Sequence, residues 1–136
     1  MRTLRGEVLV EGLPGEGRAL VLAQPISFWG GVDPATARIA DVRHPQHGAS
    51  IAGRVLFLPG TIGSSSASAV LMELVHCGIA PAALVLDHAD AILLLGLIVA
   101  REMGWEPPVA VRLAREHFSG LDGEAISVEA DGTIRF

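Results

Sequence analysis

The chain is predicted to fold as an α/β domain with a parallel strand–helix–strand–helix–strand centre and flanking β structure, and three observations predict it. Three short apolar runs, Arg54 to Leu58, Ala82 to Leu86 and Val109 to Leu113, have the length and the Gly or Pro bounding of buried strands. Two segments of helical pattern lie between them, so right-handed crossovers align the three strands in one parallel sheet. A turn signal near the C-terminus then adds antiparallel β structure outside that centre. The 136 residues fit one domain, 1–136, and a sequence 50% hydrophobic and 18% charged can bury a sizeable core.

Taken in order, the first strand ends at Pro59-Gly60, where a turn must follow. Beyond Gly60-Thr61-Ile62-Gly63 come Ser64-Ser65-Ser66, and then Ala67, Val70, Leu71, Leu74 and Val75 recur as the apolar stripe of an amphipathic helix. Gly78 is its predicted stop. Cys77 lies seven residues after Val70 on the same stripe, which predicts a buried structural thiol. After the second strand, Asp87 or Asp90 is placed to cap a helix whose segment Ile92 to Val99 is apolar on every face, which predicts burial on all sides. That apolar stretch, Ala91 to Ala100 between Asp90 and Arg101, is about half the roughly 20 residues a membrane span needs. The third strand follows Pro107-Pro108. Finally, Ala125 to Glu129 and Thr133 to Phe136 flank Ala130-Asp131-Gly132, whose Asp-Gly predicts a hairpin.

The formal net charge of −5 and pI near 5.4 exclude a general nucleic-acid or anionic-membrane surface, because both need clustered Lys and Arg. One cysteine excludes an intrachain disulfide, and no basic segment followed by an apolar run opens the chain, so the cytoplasm is the expected setting.

The segment Gly60 to Ser68 carries the most chemistry. It places hydroxyls and glycines at a strand-to-helix junction, where unpaired N–H groups and the helix dipole favour an anion and stabilise a serine alkoxide. A nucleotide P-loop is excluded, since Gly63-Ser64-Ser65 stands where that motif needs Lys. The Gly-x-Ser-x-Gly elbow of the α/β-hydrolases is missing as well. Simple capping of a helix by serine is the alternative reading of the same residues.

A second cluster runs from Pro25 through Ile26, Ser27, Phe28, Trp29, Gly30, Gly31 and Val32 to Asp33-Pro34, followed by Asp41 and His44-Pro45-Gln46-His47-Gly48. A long Gly/Pro-rich loop with an aromatic pair is expected to serve a site or an interface. Asp41, His44 and His47 match no metal-ligand spacing, so no metal site is expected, and the acids of Asp87-His88-Ala89-Asp90 are explained by capping.

Together these residues resemble a known family. The stretch Pro25 to Pro34, Asp41 with His44-Pro45, Gly48, Gly53-Arg54, Gly63-Ser64-Ser65-Ser66 with Ser68, and Ala80-Pro81-Ala82-Ala83 look like the swivel-domain subunit of the aconitase X family, over roughly residues 5 to 112. The resemblance implies a swivelling β/β/α domain that docks on a large subunit, and the large subunit, not this chain, would hold an iron–sulfur cluster. It also implies dehydration of a small carboxylate substrate, with Ser64 as the catalytic base. Gly63, Ser65 and Ser66 would bind that substrate, while Ser27, Phe28, Trp29, Gly30, Asp33 and His44 would belong to an interface or active-site loop. The chain departs from the family at Ile62, where a basic residue is expected, and at Ala67, where glycine is frequent. Of the family's two main kinds, the Gly-Ser-Ser-Ser loop with Trp29 and His44 to His47 looks like the bacterial cis-3-hydroxy-L-proline dehydratases, the other kind acting on mevalonate 5-phosphate. From the residues alone, a non-catalytic anion-binding or regulatory module stands as the rival.

Overall fold

A computed structural model describes residues 2–136. Its centre is four parallel strands, β3 (Gly15–Val21), β4 (Val55–Leu58), β5 (Ala83–Leu86) and β6 (Ala110–Arg112), paired in that order. The crossovers are α2 (Ala67–His76) between β4 and β5, and α3 (Ala91–Glu102) between β5 and β6. The strand–helix–strand–helix–strand centre is therefore present, each strand within a residue or two of its expected bounds.

The strands alternate as a two-faced sheet must, because successive side chains point to opposite sides. Leu56 and Leu58 of β4, with Leu84 and Leu86 of β5, join a core under the helices that includes Leu71, Leu74, Leu93 and Leu97. Val55, Phe57, Ala83 and Val85 face the other way, into a second core with Val111, Phe118, Ile126 and Ile134. Phe57 and Phe118 meet there edge to face with ring centroids 5.1 Å apart. Helices therefore cover one face and further β structure the other, a layered arrangement in keeping with the β/β/α expectation.

That further structure is β1 (Thr3–Arg5), β2 (Glu7–Val10), β7 (Ala125–Val128) and β8 (Thr133–Arg135). The hairpin β7–β8 forms at Asp131-Gly132, with Asp131 Oδ1 accepting the Thr133 N–H at 2.9 Å and Gly132 at φ 95°. The ribbon continues as β1 on β8, while β2 closes the far edge antiparallel to β6, giving the order β1-β8-β7-β3-β4-β5-β6-β2. Strand β3 had no counterpart among the expected elements. Its first half, Gly15-Glu16-Gly17-Arg18, has almost no apolar signal, yet it pairs antiparallel with β7 while Ala19 to Val21 pair parallel with β4.

Two expectations fail. The outer face of α3 is open: Ile92 is 49% exposed, Leu95 49% and Ile98 39%, although Leu93, Leu94, Gly96, Leu97 and Ala100 are buried. An apolar helix on the outside of a sheet buries only the face that meets the sheet and α2, whatever the composition of the other. Cys77 is exposed and is not a core thiol. The helix ends at His76, Gly78 turns the chain at φ 74°, and Ile79 donates its N–H back to Leu74 at 3.0 Å, so Ile79 takes the apolar place that periodicity assigned to Cys77.

Candidate functional site

The serine loop runs from the end of β4 to the start of α2. It is clamped on one side by the backbone of Ile26, which forms a parallel bridge with Thr61 and accepts the Ile62 N–H at 3.0 Å. On the other side Thr61 Oγ1 donates to Asp90 Oδ2 at 2.7 Å. The second carboxylate oxygen of Asp90 accepts the N–H groups of Ile92 and Leu93 at 3.0 and 3.1 Å, so Asp90, of the two acids considered, caps α3. One side chain thus ties the serine loop to the start of the next helix.

Within the loop, Ser64 Oγ accepts the Ser66 N–H at 3.2 Å, and the Ser64 carbonyl accepts the Ala67 N–H at 3.1 Å. The hydroxyl of Ser66 makes no capping hydrogen bond, although Ser66 occupies the N-cap. The capping reading therefore does not account for Ser66. Ser65 is exposed, and Ser68 Oγ donates to its carbonyl at 3.4 Å. The first-turn N–H groups of Ser68 and Ala69 precede the point where intrahelical bonding begins, so they stand free for an anion. The fixed N–H on Ser64 Oγ lowers the cost of negative charge on that atom, and the helix dipole adds to it.

Gly60, Thr61 and Gly63 form one wall of an open groove of about 500 Å³, and His88, Ala89, Asp90, Ala91 and Ile92 form the other. His88 projects into solvent, its Nε2 3.3 Å from Asp87 Oδ2. None of the Arg residues lines this groove. A larger depression of about 570 Å³ on the β3–β7 ladder holds Arg18 and Arg135 but no residue of the serine loop, and both guanidinium groups are already committed, to the Gly123 carbonyl and to Glu129. The groove beside the serine loop, walled by Gly60, Thr61 and Gly63, is the candidate site.

The loop of residues 22–54 meets this site through Ile26. Ser27 Oγ donates to the Trp29 carbonyl at 3.1 Å, and Gly30, at φ 79°, breaks the single turn α1 (Phe28–Gly31). Trp29 is 60% exposed, whereas Phe28 is 1% exposed and belongs to the core under the helices, so Trp29 is the aromatic available to a partner. Asp33 accepts the Ala35 N–H and shapes its own turn. His44 is buried: Nε2 lies 3.1 Å from the Gln24 carbonyl, and Nδ1 accepts the Gln46 N–H at 3.1 Å. Phe28 and His44 are thus placed as loop-building residues and not as surface for a ligand or partner. Thr61, His88 and Asp90 were missed as groove residues, because only the crossover that sets β4 beside β5 brings Thr61 next to Asp90.

The full length of this fold matches known proteins. The model of the family described as aconitase X swivel domain matches residues 3–136. The chain belongs to the aconitase X swivel domain family. A chain of Thermococcus kodakaraensis aconitase X superposes with a TM-score of 0.85 at 31% identity, covering 99% of this chain and 98% of that one. The phosphomevalonate dehydratase small subunit of Methanothermobacter thermautotrophicus is 40% identical over 125 residues, 90% of this chain and 91% of that protein. The cis-3-hydroxy-L-proline dehydratase of Pseudomonas aeruginosa is 47% identical over 119 residues, 87% of this chain but only 20% of that protein.

An iron–sulfur cluster is held by a set of thiolates, and this swivel domain has a single cysteine, at the opposite end of α2 from Ser64, so its residues do not fit as cluster ligands. Glu73, His76 and Cys77 do bring ligand-type atoms within 4.8 Å of one another there, but all are exposed. Among the described residues, no helix is long and apolar enough to cross a membrane.

Proposed function

We propose that this chain is the small subunit of an aconitase-type hydro-lyase that dehydrates cis-3-hydroxy-L-proline at a site shared with a large subunit, Ser64 acting as the base. The observation that carries the role of Ser64 is its Oγ, held by the Ser66 N–H at the N-terminus of α2 and on a loop that walls the groove. A free serine is a very weak base, so that N–H, the helix dipole and a cation from the partner act together to favour its alkoxide. In the reaction the proton on the carbon next to the carboxylate passes to Oγ. Its electron pair forms the new carbon–carbon double bond as the β-hydroxyl departs, and the proton taken by Oγ is then given up to that hydroxide, which leaves as water and restores the serine base. The enamine so formed tautomerises to a pyrroline carboxylate. The free N–H groups of Gly63, Ser65, Ser68 and Ala69, with the Ser65 and Ser66 hydroxyls, bind the substrate carboxylate. We assign the iron–sulfur cluster to the large subunit, where it would supply Lewis acidity to the leaving hydroxyl. The enzyme works in the cytoplasm.

The choice of substrate is supported by the groove's lining, which is neutral or apolar apart from His88 and the committed carboxylate of Asp90. A phosphorylated substrate asks for Arg or Lys at its dianion, whereas a zwitterionic amino acid does not. Mevalonate 5-phosphate is the second reading, favoured by the match along 91% of the Methanothermobacter small subunit.

The test is to assemble the chain with its large subunit under conditions that protect a cluster and to follow water loss from both substrates. Turnover of cis-3-hydroxy-L-proline, abolished by Ser64→Ala without loss of assembly, is the expected result. Turnover of mevalonate 5-phosphate alone rejects the substrate. Near-normal turnover by the Ser64→Ala enzyme rejects the base, and anion binding without turnover of either substrate by the wild-type assembly returns the regulatory module.

A further inference from the structure

We infer that the open face of α3, carrying Ile92, Leu95 and Ile98, is a docking surface for the large subunit, an inference that rests on the proposed function. Three large aliphatic side chains at i, i+3 and i+6 occupy one side of the helix, and all are more than a third exposed. A helix that serves only a core keeps its outer face polar. Here no charge falls on the outer face between Asp90 and Arg101. Such an apolar row on a small protein marks a contact surface.

Continuity with the active site identifies the occupant. Ile92 begins the row and also lines the groove that the serine loop walls, and Ile62, between the groove-lining Thr61 and Gly63 in the chain, is itself 58% exposed. The groove is open, so whatever completes the site must approach across its rim and meets α3 next. The similar region of the Pseudomonas dehydratase is only 20% of that protein, leaving four-fifths of its length to cover such a face within one polypeptide. The corresponding cover for this chain is the large subunit. A second copy of the chain could bury the apolar row, but it would set two serine grooves against each other and complete neither.

The α3 face therefore positions the serine loop over the rest of the site, and part of the binding energy is apolar burial well away from the reacting atoms. The experiment measures affinity of the chain for the large subunit by calorimetry, comparing wild type, Leu95→Glu/Ile98→Glu and Ser64→Ala. The double variant is expected to fold with an unchanged circular-dichroism spectrum, since both positions are exposed, and to bind the large subunit about tenfold more weakly or worse. Ser64→Ala is expected to bind as wild type does. Wild-type affinity in the correctly folded double variant overturns the inference while leaving the proposed function intact. Self-association of the wild-type chain that the double variant abolishes, with large-subunit binding unchanged, overturns it in favour of a second copy. Failure of the wild-type chain to bind the large subunit removes the proposed function and this inference together.

Discussion

At the residue scale, the loop serines do not share one job. Ser64 receives an N–H on its hydroxyl oxygen, Ser66 sits at the N-cap without capping, and Ser68 leans back on the Ser65 carbonyl. Ser64→Ala is therefore expected to cost the fold no more than about 1 kcal/mol, the loss of one weak turn hydrogen bond, while removing most turnover of the assembled enzyme. Thermal unfolding and the assay separate the two effects. Ser66→Ala should leave stability almost unchanged, since no cap is lost. Cys77 offers an independent check on the end of α2. Its thiol donates to Glu73 Oε1 at 3.2 Å, and that hydrogen bond, aided by desolvation and the carboxylate charge, raises its pKa above the ordinary thiol value. Removing the carboxylate removes what favours the neutral thiol. Glu73→Gln should thus shift the pH midpoint of Cys77 alkylation downwards and speed the reaction at neutral pH; an unchanged midpoint would break the assignment.

At the element scale, two contacts couple the helix starts that face the groove. The Thr61–Asp90 hydrogen bond joins the serine loop to the N-terminus of α3, and Gly96 lets α3 approach the first turn of α2 so closely that an added Cβ would lie 2.6 Å from the Ser68 carbonyl oxygen. Thr61→Val, which keeps the shape and deletes the donor, is expected to lower kcat of the assembled enzyme with little change in KM, and Thr61→Ser should restore it. A fall in stability alone, with kcat unchanged, would make the contact merely structural. Gly96→Ala should destabilise the chain by about 1–3 kcal/mol in denaturant unfolding, because backbone has to move to admit the methyl group. The hairpin has its own pH signature. The Thr133 N–H and hydroxyl at Asp131, followed by the charge of Arg5, hold its carboxyl below the usual range, so its contribution is present at neutral pH and is lost as pH falls through the lowered value. Asp131→Asn should remove that part of the acid dependence.

At the scale of the molecule, Ser64 and the open apolar face lie at one end and one side of the same sheet. The parallel strands direct their C-terminal ends towards Gly60, Asp87 and the starts of α2 and α3, as open α/β sheets do at their binding crevices. The β7–β8 ribbon with β1 extends the opposite edge. Addition of the large subunit is expected to slow deuterium uptake in residues 60–66 and the first turns of α3 while leaving residues 125–135 unchanged. Protection confined to the ribbon would place the partner on the wrong edge.

Much of this protein is legible in one dimension. The apolar runs of β4, β5 and β6, the stripe of α2, the Gly78 stop and the Asp131-Gly132 turn each depend on neighbours in the chain, so local pattern is enough to find them. The serine loop is legible for the same reason, since a strand end, glycines, hydroxyls and a helix start are contiguous. Only the tertiary structure decided what depends on distant partners. It made a strand of Gly15 to Arg18 by pairing it with β7, and brought Thr61 to Asp90 across a whole crossover. It also separated Phe28, in the core, from Trp29, in solvent, and left one face of α3 bare. Periodicity shows which residues are apolar, but burial depends on what lies opposite them. For the outer face of α3, nothing among the described residues does.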